Sequence, residues 1–357
     1  MKINDTATDE TEFQLPTPAE LKRLIALSDP LQAQILQQRQ TIAQILDQQD
    51  PRLLVIVGPC SIHDTTAALE FASRLRDLQE EVSEELFLVM RVYCEKPRSS
   101  LGWKGMLYDP HLNESHEIRQ GIHLCRELML QIQQMGVPFS TEFLDPLTYA
   151  YYSDLVSMGS IGARTSTSQT HRQMASHLDF PMTFKNPVDG NVRLSVESMK
   201  AAAHPQAHLF VSEEGLIKGC TTRGNPNTVL VLRGSIESSN YDEKSIEEAR
   251  KLLKEHQLRD RLVIDCSHGN SRKNPLNQEK VLRSALQHVI EENHPIVGVM
   301  MESHLEGGSQ KLSHAQLNYG QSITDPCLSW AETEQILLSA AETLRLSPVR
   351  KDHSYCL

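Results

Sequence analysis

The stretch that decides the fold is Leu53-Leu-Val-Ile-Val-Gly-Pro-Cys60, an unbroken run of β-branched and aliphatic residues stopped by a Gly-Pro turn and then a thiol. Unbroken rather than alternating apolar character marks a strand covered on both faces, as in parallel sheets. Seven further runs follow, at Leu86–Met90, Val137–Ser140, Met158–Ala163, Pro181–Phe184, Thr228–Leu232, Leu262–Asp265 and Ile296–Met301. The residues at or just past the eight ends are Cys60, Arg91, Glu142, Arg164, Lys185, Arg233, His268 and Glu302, nearly all able to bind a metal, a phosphate or a proton. Amphipathic stretches at Thr66–Glu80, Glu117–Gln134, Asp242–His256 and Gln278–Glu292 are long enough for crossover helices. In a (β/α)8 barrel the carboxyl ends of all eight strands meet on the face that carries the active site. The pattern predicts an α/β protein, a (β/α)8 TIM barrel, that is an enzyme.

Two elements lie outside the repeat. The N-terminal segment, residues 1–48, is expected to be an extension for subunit contact or regulation, preceding a catalytic barrel over 49–350. Its first fifteen residues are polar and acidic; Thr17 then caps a helix starting at Pro18, with Glu20 completing a capping box, and a second helix spans Leu31–Gln48. His208-Leu-Phe-Val-Ser and Leu216-Ile-Lys-Gly-Cys220 flank Glu213-Glu-Gly215, which predicts a β-hairpin over 208–222 inserted between strands five and six. Glu306–Gln321, rich in Gly, Ser and His, is long enough for an active-site loop, and a last helix is expected over Glu332–Leu346.

The chain of 357 residues carries a formal charge of −11, which argues against a nucleic-acid surface. Seven irregularly spaced cysteines and no apolar leader point to free thiols and a cytoplasmic location, and no apolar run approaches the roughly 20 residues that cross a bilayer. Within this acidic shell Arg91, Lys96, Arg98, Arg164, Lys185 and Arg233 all fall at or after strand ends. Against one apparent carboxylate base, Glu142, such a ring of cations calls for several negative charges, and hence for two phosphate-bearing ligands.

Cys60, His268, Glu302 and Asp325 offer a thiolate, an imidazole and two carboxylates. That donor set suits Mn, Fe, Co or Zn better than Mg or Ca. A buried cysteine is more often a small hydrophobe, so these four become a metal site only if the barrel puts them on one rim. His63 and Asp64 read more naturally as caps of the next helix, and His111 and His171 as hydrogen-bonded structure.

Seven motifs, Gly58-Pro-Cys-Ser-Ile-His-Asp64, Lys96-Pro-Arg-Ser-Ser100, Gly102-Trp-Lys-Gly105, Ile161-Gly-Ala-Arg-Thr165, Ser168-Gln-Thr-His-Arg172, Asp265-Cys-Ser-His-Gly-Asn270 and Ser322-Ile-Thr-Asp325, occur in order. With them the chain, from about Leu21 to Leu346, resembles the type I 3-deoxy-D-arabino-heptulosonate-7-phosphate (DAHP) synthases of bacteria and fungi. The resemblance implies a cytoplasmic, metal-dependent condensation of phosphoenolpyruvate with erythrose 4-phosphate, the first step of the shikimate pathway to aromatic amino acids. It also implies Cys60, His268, Glu302 and Asp325 as metal ligands. Arg91, Lys96, Pro97, Arg98, Ser99, Ala163, Arg164, Lys185 and Arg233 are implied to bind substrate, with Lys96, Glu142 and His268 catalytic. A homodimer or homotetramer is expected, and an aromatic amino acid effector acting through the N-terminal segment, the hairpin and a helix after strand three; Pro146 resembles the tyrosine-responsive subgroup.

The sequence departs from the family pattern at Pro187, at Thr167 and over Gly234-Ser-Ile-Glu-Ser-Ser-Asn-Tyr241. Two other readings follow. A related synthase that uses arabinose 5-phosphate normally inserts an Asn in its aldose loop, which Lys96-Pro97-Arg98 lacks. A non-catalytic metabolite sensor is suggested by the altered stretches and opposed by the intact metal quartet.

Overall fold

The computed structural model describes residues 12–291, 294–312 and 316–347. The barrel is closed. In chain order its strands are β1 (Leu53–Gly58), β2 (Leu86–Arg91), β3 (Phe139–Glu142), β4 (Met158–Ile161) and β5 (Met182–Lys185); β6 (Ala207–Val211) and β7 (Ile217–Thr221) stand apart; and β8 (Thr228–Leu232), β9 (Leu262–Asp265) and β10 (Ile296–Glu302) complete the ring. Every barrel pair is parallel, and β1 pairs with β10, Leu54 opposite Gly298, to shut it. The inserted segment forms the expected antiparallel hairpin, β6 with β7.

Why the strands read as continuous apolar runs is visible in β1. Leu53, Val55 and Val57 face the surrounding helices, whereas Leu54 and Ile56 fill the barrel with Val89, Met158, Val229, Val231, Val263 and Met300. Both faces are covered, so apolar residues are favoured on each. The crossovers are α3 (Thr65–Val82), α4 (Ile118–Gln134), α5 (Gln169–His177), α6 (Val192–Ala202), α7 (Glu243–Glu255), α8 (Gln278–Val289) and α9 (Trp330–Leu346), preceded by α1 (Pro18–Leu24) and α2 (Asp29–Leu46). Thr17 and Glu20 make the capping box on α1, and Ser329 with Glu332 makes a second on α9, which starts two residues earlier than expected because the cap lies there. Asp64 caps α3 by accepting from Thr66 N and Ala67 N; His63 takes no part in that cap.

The second half of α2 closes the amino end of the barrel. Ile42, Ile45 and Leu46 are buried against the interior-facing side chains of the strands. Helix α1 is fixed from elsewhere: Ala19 N donates to Glu213 O of the hairpin at 2.8 Å, and Tyr151 OH donates to Pro16 O at 2.7 Å.

Three expectations are corrected. Strand three runs over Phe139–Glu142 rather than Val137–Ser140, since Pro138 has no N–H to give the ladder and contributes only its carbonyl, to Met90 N. Strand four ends at Ile161, where Gly162 begins a turn. No long helix follows β3; two 3-10 turns, Tyr149–Tyr151 and Ser153–Leu155, occupy that place. The end of the expected barrel domain, 348–350, and residues 1–11 of the extension lie outside the described residues.

Among the described residues no helix is long and apolar enough to cross a membrane. Cys60, Cys94, Cys125, Cys220, Cys266 and Cys327 are free thiols, and Cys356 lies outside the described residues.

Candidate active site

A cavity of about 930 Å³ opens at the carboxyl ends of the strands. Its wall includes Cys60, Arg91, Lys96, Pro97, Arg98, Ser99, Glu142, Ala163, Arg164, Lys185, Arg233, His268, Glu302 and Asp325, so every residue expected to bind metal or substrate or to act in catalysis lines one space. Each arrives by a short path. Arg91, Glu142, Lys185 and Glu302 are the last residues of β2, β3, β5 and β10, and Arg233 directly follows β8.

The Cys60 sulfur and one oxygen each of Glu302 and Asp325 lie within 4.8 Å of one another. His268 Nε2 stands 3.5 Å from Glu302 Oε1. Its Nδ1 is held at 2.9 Å by Asp265 Oδ2, which aims Nε2 at the other donors, the arrangement that orients metal-binding imidazoles. His268 holds this pose at φ 52°, a left-handed backbone unusual for a non-glycine residue, with Lys273 N donating to its carbonyl. Soft and hard donors converge here, so the residues present fit a borderline divalent cation. Lys96 Nζ sits 2.8 Å from the Cys60 sulfur and 3.9 Å from Asp325 Oδ2. Burial, then Glu302, raises the pKa of the Cys60 thiol. Burial works against the Lys96 charge, but Cys60, Glu302 and Asp325 outweigh it and raise its pKa. For Glu302, burial is overcome by His268, Arg91 and Lys96, which keep the carboxylate ionised.

Sequence reasoning missed Asp265. This fully buried carboxylate ends β9, accepts from Lys185 Nζ at 2.9 Å and also holds His268. Burial raises its pKa, but His268 and Lys185 carry it well below the ordinary value. It lies at the end of an apolar run and reads as a strand terminus; its signal is a carboxylate in a ring whose other strands end in Lys185 and Glu302. Glu302 in turn pairs with Arg91 Nη2 at 3.2 Å. The ring of cations is therefore partly neutralised within the protein, contrary to the sequence count. Among the described residues Arg98, Arg164 and Arg233 enter no ion pair: Arg164 Nε donates to Ser99 Oγ at 2.9 Å and Arg233 Nη1 to Gly234 O at 3.2 Å. Burial lowers the pKa of Arg233, only partly offset by Asp265. These three guanidiniums are left without a carboxylate among the described residues and are open to a ligand.

Glu142 lines the cavity, and its Oε1 is buried without a hydrogen-bond partner. Gly162 makes room for it, because a Cβ there would overlap the Glu142 carboxylate. The unusual segments close into a local net. Asn186 Oδ1 accepts from Arg233 N at 2.8 Å and from Asn240 Nδ2 at 3.1 Å, Asn240 Oδ1 accepts from Gly234 N at 2.7 Å, and Asn240 N donates to Asn270 Oδ1 at 2.9 Å. Asn186 before Pro187 and the altered 234–241 stretch thus tie the exits of β5, β8 and β9 together.

Of the expected loop Glu306–Gln321, no described residue lines the cavity. It folds instead as β11 (Glu306–Ser309) paired with β12 (Gln321–Ser322), and Tyr319 OH donates to Glu70 at 2.8 Å; residues 313–315 lie outside the described residues. Asp325, just beyond, does face the site. His171 is structural, bonded to Ser168 Oγ and Leu144 O, and His111 bonds Gln120 away from the cavity.

The description of the DAHP synthetase I family matches residues 30–338. The chain belongs to the DAHP synthetase I family. It is 42% identical over 328 residues to the phospho-2-dehydro-3-deoxyheptonate aldolase, Tyr-sensitive, of Escherichia coli strain K12, covering 91% of this chain and 92% of that one. It is 44% identical over 335 residues to the Trp-sensitive enzyme of the same organism, covering 92% and 95%. The tyrosine-inhibited enzyme of Schizosaccharomyces pombe is 42% identical, covering 90% and 88%. A solved phospho-2-dehydro-3-deoxyheptonate aldolase from Francisella tularensis superposes with a TM-score of 0.92 at 37% identity, covering 95% of this chain and 99% of that one. The barrel is that of a family of enzymes.

Proposed function

We propose that the chain condenses phosphoenolpyruvate with erythrose 4-phosphate and water to give 3-deoxy-D-arabino-heptulosonate 7-phosphate and phosphate, with a divalent cation held by Cys60, His268, Glu302 and Asp325. The observation that carries this reading is the convergence of those four donors beside three unpaired guanidiniums in one cavity. The bound cation supplies Lewis acidity toward the aldehyde oxygen. Arg164, Arg233 and Lys185 hold the phosphoenolpyruvate phosphate, and Arg91 lies toward its carboxylate. Lys96, Arg98 and Ser99 receive the aldose phosphate, and Pro97 and Ala163 complete the substrate-binding wall. As C3 of phosphoenolpyruvate bonds to the aldehyde carbon, Lys96 delivers a proton to the developing alkoxide. Glu142, which lines the cavity, takes the proton from the water that adds to C2. The resulting hemiketal phosphate expels inorganic phosphate by C–O cleavage. The cationic wall stabilises charge throughout.

The names of the relatives support regulation by an aromatic amino acid, and we place the protein in the cytoplasm as a homodimer or homotetramer whose residues 1–48 serve subunit contact or regulation. The decisive experiment measures phosphate release from phosphoenolpyruvate after chelation and after restoring Mn. Release is expected only with both the cation and erythrose 4-phosphate. Release that ignores chelation sinks the metal assignment, and equal release with arabinose 5-phosphate sinks the aldose assignment. No release with any aldose phosphate leaves the sensor.

A further inference from the structure

A second group of metal-binding side chains lies outside the cavity, where the inserted hairpin meets the end of α5. His208 on β6 and Cys220 on β7 are direct partners across the antiparallel pair and so share one face of the hairpin. Opposite them is His177, the last residue of α5. His208 Nε2 stands 3.3 Å from His177 Nδ1, and the Cys220 sulfur 3.4 Å from the same nitrogen. All three donor atoms lie within 4.8 Å of one another. Donors bound tetrahedrally to one zinc, at about 2.0–2.1 Å for nitrogen and about 2.3 Å for sulfur, stand roughly 3.3–3.7 Å apart. The observed separations from His177 match that spacing.

Hydrogen bonding alone leaves this cluster unsatisfied. His208 Nδ1 is 3.0 Å from the Leu209 carbonyl, which places the proton on Nδ1 and a lone pair on Nε2. His177 Nδ1 then faces both that lone pair and the Cys220 sulfur, and one proton serves only one of them. Burial, then His208, lowers the pKa of His177, favouring the neutral imidazole that binds metals. Tyr149 stands beside the group with its ring 6.2 Å from that of His177, and its buried hydroxyl has no hydrogen-bond partner. Burial, then Cys220 and Glu213, pushes that phenol up to about 12. The Phe210 ring, 5.0 Å from that of His177, walls another side.

We propose that His177, His208 and Cys220 form a second divalent-cation site, selective for zinc, that clips the inserted hairpin to α5. A half-buried Cys-His-His set selects zinc over harder ions. Because the hairpin also grips α1, through Ala19 N to Glu213 O and Lys22 to Glu213 at 2.7 Å, the clip stiffens that connection too.

The test uses the full chain stripped of metal and carrying Cys60→Ala, so the cavity thiol is silent. Titration with Co(II) is expected to give a thiolate-to-cobalt charge-transfer band, abolished by adding Zn(II). The same band should vanish when Cys220→Ser or His208→Ala is added to the Cys60→Ala chain. No band in Cys60→Ala, or a band that survives Cys220→Ser, overturns the proposal. Should Cys60→Ala fail to fold, zinc content decides: two equivalents per unsubstituted chain falling to one in Cys220→Ser are expected, and no fall refutes it. Cys220→Ser should leave phosphate release unchanged. The cobalt band and the fall in zinc content do not depend on synthase activity, so the two proposals stand or fall separately.

Discussion

The two ends of the barrel are built on opposite principles from the same strands. At the amino end Ile42, Ile45 and Leu46 meet Leu54, Val229 and Val297 in an aliphatic plug. At the carboxyl end Arg91, Lys185, Asp265 and Glu302 are nearly as buried, yet charged. Burying a charge is tolerable only when partners and hydrogen bonds repay its lost hydration. Arg91 with Glu302, and Lys185 with Asp265 and His268, meet that condition. One end therefore serves mainly stability and the other holds chemistry at a cost in stability.

The largest effect should come from Lys96→Ala. It removes a charge from the cavity and is expected to lower kcat by about 10²–10⁴-fold, the usual worth of a positioned proton donor, while urea denaturation stays near that of the unsubstituted chain. A large fall in the denaturation midpoint with activity preserved would reverse the assignment of roles to the two ends.

Ile45→Ala tests the other end. Deleting three buried carbons from the plug should cost about 2–5 kcal/mol in denaturant unfolding. The folded enzyme should keep its kcat at low temperature, and a selective loss of kcat would mean that the plug shapes the cavity.

A smaller effect, spread over pH, sharpens the contrast. Burial pushes the Glu95 carboxyl, next to Lys96, up to about 7, despite hydrogen bonds from Tyr152 and Thr148; Asp145 pushes it further. The folded chain thus binds this proton more tightly than the unfolded chain. The resulting stability is fully present below about pH 4.5, falls as pH rises toward 7 and levels off above it, by on the order of 3 kcal/mol. Glu95→Gln should flatten stability between pH 5 and 8. Identical slopes in the two proteins would remove Glu95 from the account.

The plug and the rim were unequally legible in the sequence. Strands covered on both faces announce themselves as apolar runs, and the residues at their ends can be read off directly, which is why the barrel and the lining of its cavity were accessible. Partnerships were not. Asp265 meets His268 three residues along the chain, but it touches Lys185 only because β5 and β9 flank β8 in the closed ring, and no local pattern encodes that neighbour. Glycine at 162 serves a carboxylate on an adjacent strand, and Pro138 moved β3 through a missing donor rather than through hydrophobicity. The role of α2 as a floor was hidden because an amphipathic stripe does not say what it covers. His177, His208 and Cys220 are united by the hairpin register and the end of a helix, neither of which fixes side-chain aim in advance.

The bond between β1 and β10 has a consequence for how the molecule is made. The first strand to leave the ribosome waits for the last before its open edge is paired, so through most of synthesis that edge and the inward faces of the strands are exposed. Helix α2 emerges before any strand and carries the side chains that later cap one opening, giving the growing sheet an apolar surface to collapse on while its final neighbour is still being translated.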